Sequence, residues 1–257
     1  MTARHIAVAF AGALALAGCS NSGNPGFQGW VEADLIFVGP DEAGRVDTLS
    51  VREGDNLVQG APVFTVDPEL QQADLAMAQA SLTNAKQAFD RAQALLKTAA
   101  GTQRAVDEAE AALRTAEARV ASAQTRLTRR KVFSPVTGTV QQIYFRPGEV
   151  VAAGRPVVSL LPPGNIKVRF FVPETELPKL SLGQPVSIHC DGCKADVPAR
   201  ITFISRQSEF TPPVIYSLDE RSKLVFLIET RTDTPSELRV GQPVDVRLGG
   251  PTAEARK

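Results

Sequence analysis

The chain has 257 residues, 43% of them hydrophobic and 22% charged, enough apolar material for one large domain or two to three small ones, and not the composition of a disordered polypeptide. Lys plus Arg equals Asp plus Glu at 28 each, so no net field gathers nucleic acid or an acidic substrate. Histidine occurs only at positions 5 and 189, and neither a nucleophile-elbow Ser nor a phosphate-cradling Gly-rich loop is present. The common hydrolase and nucleotidase signatures are therefore missing, and the sequence reads as a non-enzyme that carries no cofactor.

In chain order, residues 1–18 have the layout of a secretory signal. Arg4 and His5 form a short polar start, Ile6 to Ala17 is an apolar run too short to span a bilayer stably, and small residues follow. Residues 19–28 read as a flexible tether, polar from Ser20 to Gly26. Residues 29–43 read as a strand leading into a β-region. No later stretch approaches the roughly 18 apolar residues of a membrane-crossing helix.

The strongest signal is an internal repeat. Gly44, Gly54, Gly60 and Pro62 fall at the same spacings as Gly138, Gly148, Gly154 and Pro156, and Val46, Leu49 and Val63 match Val140, Ile143 and Val157. Each copy reads as a strand, a Gly-centred turn (Glu53-Gly54-Asp55; Pro147-Gly148-Glu149) and a second strand entered through Gly-x-Pro-Val. The same tetrapeptide recurs as Gly183-Gln184-Pro185-Val186 and Gly241-Gln242-Pro243-Val244. The expected halves are residues 44–68 and 132–164.

Between them, residues 69–131 contain no proline and only Gly101, and are rich in Ala, Gln, Leu, Arg and Glu. Asp67-Pro68 suits an N-cap followed by proline at the first helical position, and Ser134-Pro135 closes the segment. Leu75, Leu82, Phe89 and Leu96 recur every seven residues, with Ala78, Ala85, Ala92 and Ala99 three later. Past Gly101, Val106, Leu113, Val120 and Leu127 do the same with Ala109, Ala116 and Ala123. Two helices of a larger bundle would also give this pattern. Placement between two halves of one β-module favours an antiparallel coiled-coil hairpin turning near Gly101, with arms of about 30 residues, roughly 45 Å.

Residues 165–249 alternate short apolar runs (166–172, 186–189, 199–205, 224–230, 244–248) with Pro, Gly and Asp turns, the pattern of a small β-barrel, and 250–257 read as a disordered tail. Within the barrel, His189 precedes Cys190-Asp191-Gly192-Cys193. Three readings stay open: a disulfide or paired thiols in a tight turn, a metal site, and a redox motif. Zinc would lack a second Cys pair, and a thioredoxin-type motif belongs on a βα unit whereas the flanks here are strands.

These elements carry a resemblance. Leu16-Ala17-Gly18-Cys19 resembles the lipobox of bacterial lipoproteins, which implies a lipid on Cys19; an ordinary cleaved signal or an uncleaved anchor are the alternatives. The two β-halves resemble those of a lipoyl or biotinyl domain, but the hairpin bearing the modified Lys in those carriers has no counterpart. Taken together, a lipoyl-like β-sandwich split by a helical hairpin, followed by a β-barrel, resembles the HlyD family of periplasmic adaptors, or membrane fusion proteins. Gly29 to Asp34 and Glu209 to Pro213 resemble its YbhG-type members, which accompany ABC-type exporters. The resemblance implies a mainly β protein in the periplasm, anchored by lipid to a membrane, the inner one favoured. It further implies a ring of six copies, an inner-membrane transporter of the ABC type and a TolC-like outer-membrane channel as partners. Arg91, Leu95 and Thr102 resemble the family's channel-contacting tip pattern, with Thr in place of Ser; Asp107 and Ala109 suit it as well. Without the resemblance, Arg91 is a solvated helix residue, Leu95 local packing and Thr102 a helix cap. From another class, a periplasmic metal-binding scaffold would use His189, Cys190 and Cys193.

Overall fold

The computed structural model describes residues 26–193, 195–210, 224–232, 234 and 238–249. The expected signal segment, Cys19, Thr211 to Pro213 and the tail 250–257 lie outside the described residues. The chain divides into two compact units, residues 33–165 and a second formed by residues up to Glu32 together with those from Ile166 onward.

The first unit is a sandwich of two four-stranded sheets, ordered β2-β9-β7-β4 and β6-β5-β3-β8. One half of the repeat supplies β2 (Ile36–Val38), β3 (Gly44–Leu49), β4 (Asn56–Leu57) and β5 (Pro62–Val66). The other supplies β6 (Lys131–Phe133), β7 (Gly138–Ile143), β8 (Val150–Val151) and β9 (Val158–Leu161). Each half contributes to both sheets, and equivalent positions make equivalent bonds across the divide. Val46 N–H donates to Glu149 O at 2.8 Å, as Val140 N–H does to Asp55 O at 2.9 Å; Gly148 N–H reaches Val46 O and Gly54 N–H reaches Val140 O, both at 2.8 Å. The pseudo-twofold follows from the turns. Gly54 and Gly148 adopt φ of +91° and +95°, a left-handed conformation that only Gly enters cheaply, so both halves reverse direction in the same way. Behind each turn an acidic side chain at the fourth position accepts the first residue's amide, Arg52 N–H to Asp55 and Arg146 N–H to Glu149, both 2.8 Å.

Mostly Val side chains, with Leu160 and Phe64, then fill the space between the sheets. Val46, Val63, Val140, Val151, Val157, Val158, Leu160 and Phe64 are all essentially inaccessible to solvent. At roughly 1.5–3 kcal/mol for each such side chain, this core is the main source of stability in the unit.

Between β5 and β6 the chain forms two antiparallel helices, α1 (Glu69–Lys97) and α2 (Gln103–Thr128). The seam matches the heptad reading: Leu75, Ala78, Leu82, Ala85, Phe89, Ala92 and Leu96 face Val106, Ala109, Leu113, Ala116, Val120, Ala123 and Leu127. All of them are buried or half-buried while their neighbours are mostly exposed. Three details differ from expectation. Ala99 leaves the seam and enters the turn. Pro68 occupies the N-cap itself, one position earlier than expected, and Asp67 caps from outside by accepting the Glu69 amide at 3.0 Å. The second helix ends at Thr128 instead of reaching 131, because Lys131 is already a β-residue paired with Thr65, so the sheet claims the chain before Ser134-Pro135 can stop the helix. Among the described residues no helix is long and apolar enough to cross a membrane.

The second unit is a closed six-stranded barrel in the order β1-β10-β13-β12-β11-β14, from β1 (Phe27–Ala33), β10 (Ile166–Pro173), β11 (Pro185–His189), β12 (Val197–Phe210), β13 (Leu224–Thr232) and β14 (Pro243–Leu248). Strict alternation along β10 buries Ile166, Val168, Phe170 and Val172, and Val186, Ile188, Val197, Ile201, Ile228, Val244 and Val246 complete the interior. Gly29 is required where β1 crosses β10, since a Cβ there would collide with the Arg169 carbonyl and the Phe170 Cβ. The barrel is thus closed by a strand from the N-terminal side of the sandwich sequence.

Candidate functional site

The hairpin offers two ends with opposite character. At its base a polar cluster ties helix to sandwich. Arg130, 8% exposed, donates to Ala43 O at 3.1 Å and to Glu42 at 3.3 Å; Gln71 at the start of α1 donates to the same Glu42 carboxylate at 3.4 Å, and Arg129 pairs with Asp41 at 3.5 Å. Gly44 leaves room for this arrangement, since a Cβ at that position would strike Val66 and the Arg130 guanidinium. A buried guanidinium that bridges a carboxylate and a carbonyl fixes the direction in which the hairpin leaves the sheets. None of these residues was singled out from sequence: partners about 90 positions apart carry no local motif, and only the acidic pair Asp41-Glu42 and the basic pair Arg129-Arg130 hinted at one.

At the other end the helices are joined by five residues. Ala99 N–H donates to Leu96 O and Ala100 N–H to Leu95 O, both at 3.0 Å, the two bonds of a Schellman C-cap. The position that Gly usually fills in this motif is Ala99, the one non-Gly residue described with positive φ, +55°. Gly101 then folds back on the helix end, where a Cβ would lie 3.1 Å from both Leu95 Cβ and Leu96 N. Thr102 is extended and its hydroxyl accepts the Ala105 amide at 3.2 Å, capping α2. The capping oxygen keeps its own proton free to donate outward.

The three tip residues expected from the resemblance all sit at this end. Arg91 is exposed one helical turn before Leu95, so both project from one face of α1. Leu95 leaves half its surface, 51%, in solvent. Thr102 is exposed across the turn. On the returning helix Asp107 accepts from Gln103 at 2.8 Å, whereas Ala109 faces the seam. The end thus presents one half-exposed Leu with polar and charged side chains around it.

The Cys cluster lies between β11 and β12. Cys190 and Cys193 are joined as a disulfide across a four-residue turn with Gly192 at φ +86° and the Cys193 amide donating to Cys190 O at 3.1 Å. This is the same turn as at Gly54 and Gly148, with the cross-link standing where those turns use an acceptor side chain. His189 Nδ1 is engaged at 2.8 Å by Asp196, which also accepts from Ser187 at 3.0 Å and lies 3.8 Å from Arg247. Burial raises the Asp196 carboxyl, but the hydrogen bonds from His189 and Ser187, with the charges of His189 and Arg247, outweigh it and hold the group below the usual carboxylate range. Both sulfurs are thus committed to each other, and no group of three or more His, Cys, Asp or Glu among the described residues could hold a metal. The strand flanks likewise give neither Cys a helix start.

A helical hairpin inserted between interleaved halves of a β-sandwich, accompanied by a closed β-barrel, is the architecture of an adaptor-type protein. Residues 35–161 match the family described as RND MFP, barrel-sandwich hybrid domain, so this segment is a domain of the membrane fusion protein type. It is 31% identical over 128 residues to a UPF0194 membrane protein in the asrC 5' region of Acidithiobacillus ferridurans, covering 49% of this chain and 38% of that one. To the UPF0194 membrane protein YbhG of Salmonella gallinarum it is 32% identical over 120 residues, 46% of this chain and 36% of that one. The matched segments thus span well under half the length of these curated relatives. Among solved structures, a MacA-MexA chimera containing the Pseudomonas aeruginosa MexA α-hairpin domain superposes with a TM-score of 0.69 at 21% identity, over 86% of this chain and 76% of that chain, a likeness of fold.

Proposed function

We propose that this protein is the periplasmic adaptor subunit of a tripartite export system, tethered to a membrane by a lipid on Cys19. It links an inner-membrane transporter of the ABC type to a TolC-like outer-membrane channel. The observation that carries the reading is the hairpin itself: two helices of 29 and 26 residues, anchored at one end by the Arg130 and Glu42 cluster and ending in an exposed Leu95 beside Arg91. At 1.5 Å per residue the arms reach roughly 40 Å from the sandwich, a span that serves no catalytic purpose and suits a bridge.

In this reading copies of the protein pack side by side, six to a ring, and the tips meet the channel. Leu95 seats among the channel's helix ends while Arg91 and the Thr102 hydroxyl make polar contacts around it. The disulfide turn stiffens one corner of the barrel, and the chain performs no chemistry of its own. The metal-binding alternative draws no support from the paired sulfurs. In-cell photo-crosslinking from position 95 tests the proposal: the expected product is an adduct with an outer-membrane channel, and normal expression without any such adduct would remove the tip assignment.

A further inference from the structure

An open groove of about 630 Å³ runs along the outer wall of the barrel. Its floor is set by strand alternation. On β14, Val244 and Val246 point inward and Asp245 outward, and Asp245 is the cross-strand partner of Gln28 on β1 and of His189 on β11. Trp30 and Phe171 form one side, their ring centroids 5.7 Å apart and tilted by 50°, with Trp30 38% exposed. Asp191, in the disulfide-closed turn, stands at the opposite end.

The charges are one-sided. Among the described residues the groove is lined by two carboxylates and His189, and by no Lys or Arg. Two arginines close to these residues are already matched: Arg169, 5.9 Å over the Trp30 ring, pairs with Glu32 at 2.9 Å and Glu229 at 3.6 Å, and Arg247 stands 3.8 Å from Asp196, which also holds His189. Asp191 and Asp245 have no such partner among the described residues. Two aromatic faces beside two unmatched carboxylates favour a positive ligand twice over, through the ring quadrupoles and through direct attraction, and disfavour an anion on both counts.

We propose that this groove binds a compact organic cation with an aromatic or apolar body, Trp30 and Phe171 taking the body and Asp245 and Asp191 the charge. The assignment rests on the barrel alone and stands whether or not the protein bridges two membranes.

Trp30 is the only tryptophan of the chain, so its fluorescence reports on the groove directly. The test titrates the full purified chain with tetraphenylphosphonium and, in parallel, with tetraphenylborate, which has nearly the same shape and the opposite charge. A saturable change with the phosphonium and none with the borate over the same range is expected, weakening as salt is raised. Asp245→Asn and Asp191→Asn each lower the affinity by roughly two- to fivefold, as partly exposed charges do, with circular dichroism confirming that the barrel is intact. Equilibrium dialysis with the unaltered chain repeats the measurement without relying on fluorescence and detects the same binding. Equal binding of the borate, unchanged affinity in both Asn variants, or no saturable binding by either method would overturn the proposal.

Discussion

The sandwich and the hairpin are one continuous stretch of chain, yet they bury their residues in opposite ways. Between the sheets Val46, Val63, Val140, Val151, Val157, Val158 and Leu160 are essentially inaccessible, whereas among the seam residues of the hairpin only Val106 and Ala116 are buried. A two-helix pair has a single internal face, so even an ideal heptad seam stays open along both edges. The labour is divided: the interleaved sheets supply stability, and the helices supply reach and an open surface.

That contrast is breakable. The largest effect is expected from Phe64→Ala, which empties the sandwich core and should cost about 3–5 kcal/mol in urea unfolding. Leu82→Ala in the hairpin seam removes a comparable side chain from a half-open site and should cost about 1–2 kcal/mol, well below Phe64→Ala. Arg130→Ala strips Glu42 and the Ala43 carbonyl of their shared donor; with Glu42 itself 45% exposed, a loss of roughly 1–2 kcal/mol is expected by the same assay. Ala99→Gly should stabilise the hairpin by about 1 kcal/mol, since it relieves a left-handed conformation that costs any Cβ-bearing residue. At the bottom of the scale, Arg91→Ala and Leu95→Ala should each change stability by no more than about 1 kcal/mol while abolishing the proposed channel contact, because Arg91 is exposed and Leu95 half-exposed. If they unfold the hairpin instead, the tip serves the fold and not a partner.

The barrel carries a pH dependence at Asp196. Asp196 has a folded value below its ordinary 3.8, so its contribution is fully present above that value and is lost as pH falls through the lower folded value. Acid should therefore loosen the junction of β11 and β12 first, seen as faster exchange of the Val197 amide, and Asp196→Asn should remove that acid-specific step.

Much of this was legible in the sequence for a physical reason. Glycines that must adopt positive φ cannot be replaced cheaply, so Gly54, Gly60, Gly148 and Gly154 kept the repeat visible, and a heptad seam records its own geometry at every seventh position. The closed six-stranded barrel was harder to see, because β1 joins β14 and β10 from the far end of the chain through pairings such as Trp30 with Pro243, which leave no periodic trace. The same holds for the base of the hairpin: Glu42, Gln71 and Arg130 are distant in sequence and ordinary in type. Ala99 was misplaced because periodicity continues in the letters after the helix has stopped. The tip residues drew their meaning from a family likeness, as an exposed Leu and Arg on a helix look alike whether or not a partner covers them.

The central claim is that residues 44–66 and 138–160 are a single cooperative module closed by reciprocal bonds, with the hairpin carried on it. Native-state hydrogen exchange of two amides addresses it directly: Val46 N–H, bonded to Glu149 O, and Val140 N–H, bonded to Asp55 O. Matched opening free energies for the two, falling in parallel with added urea, are predicted. One amide exchanging through a markedly lower-energy opening than the other would mean that the halves come apart independently, and the platform that aims the hairpin would not exist.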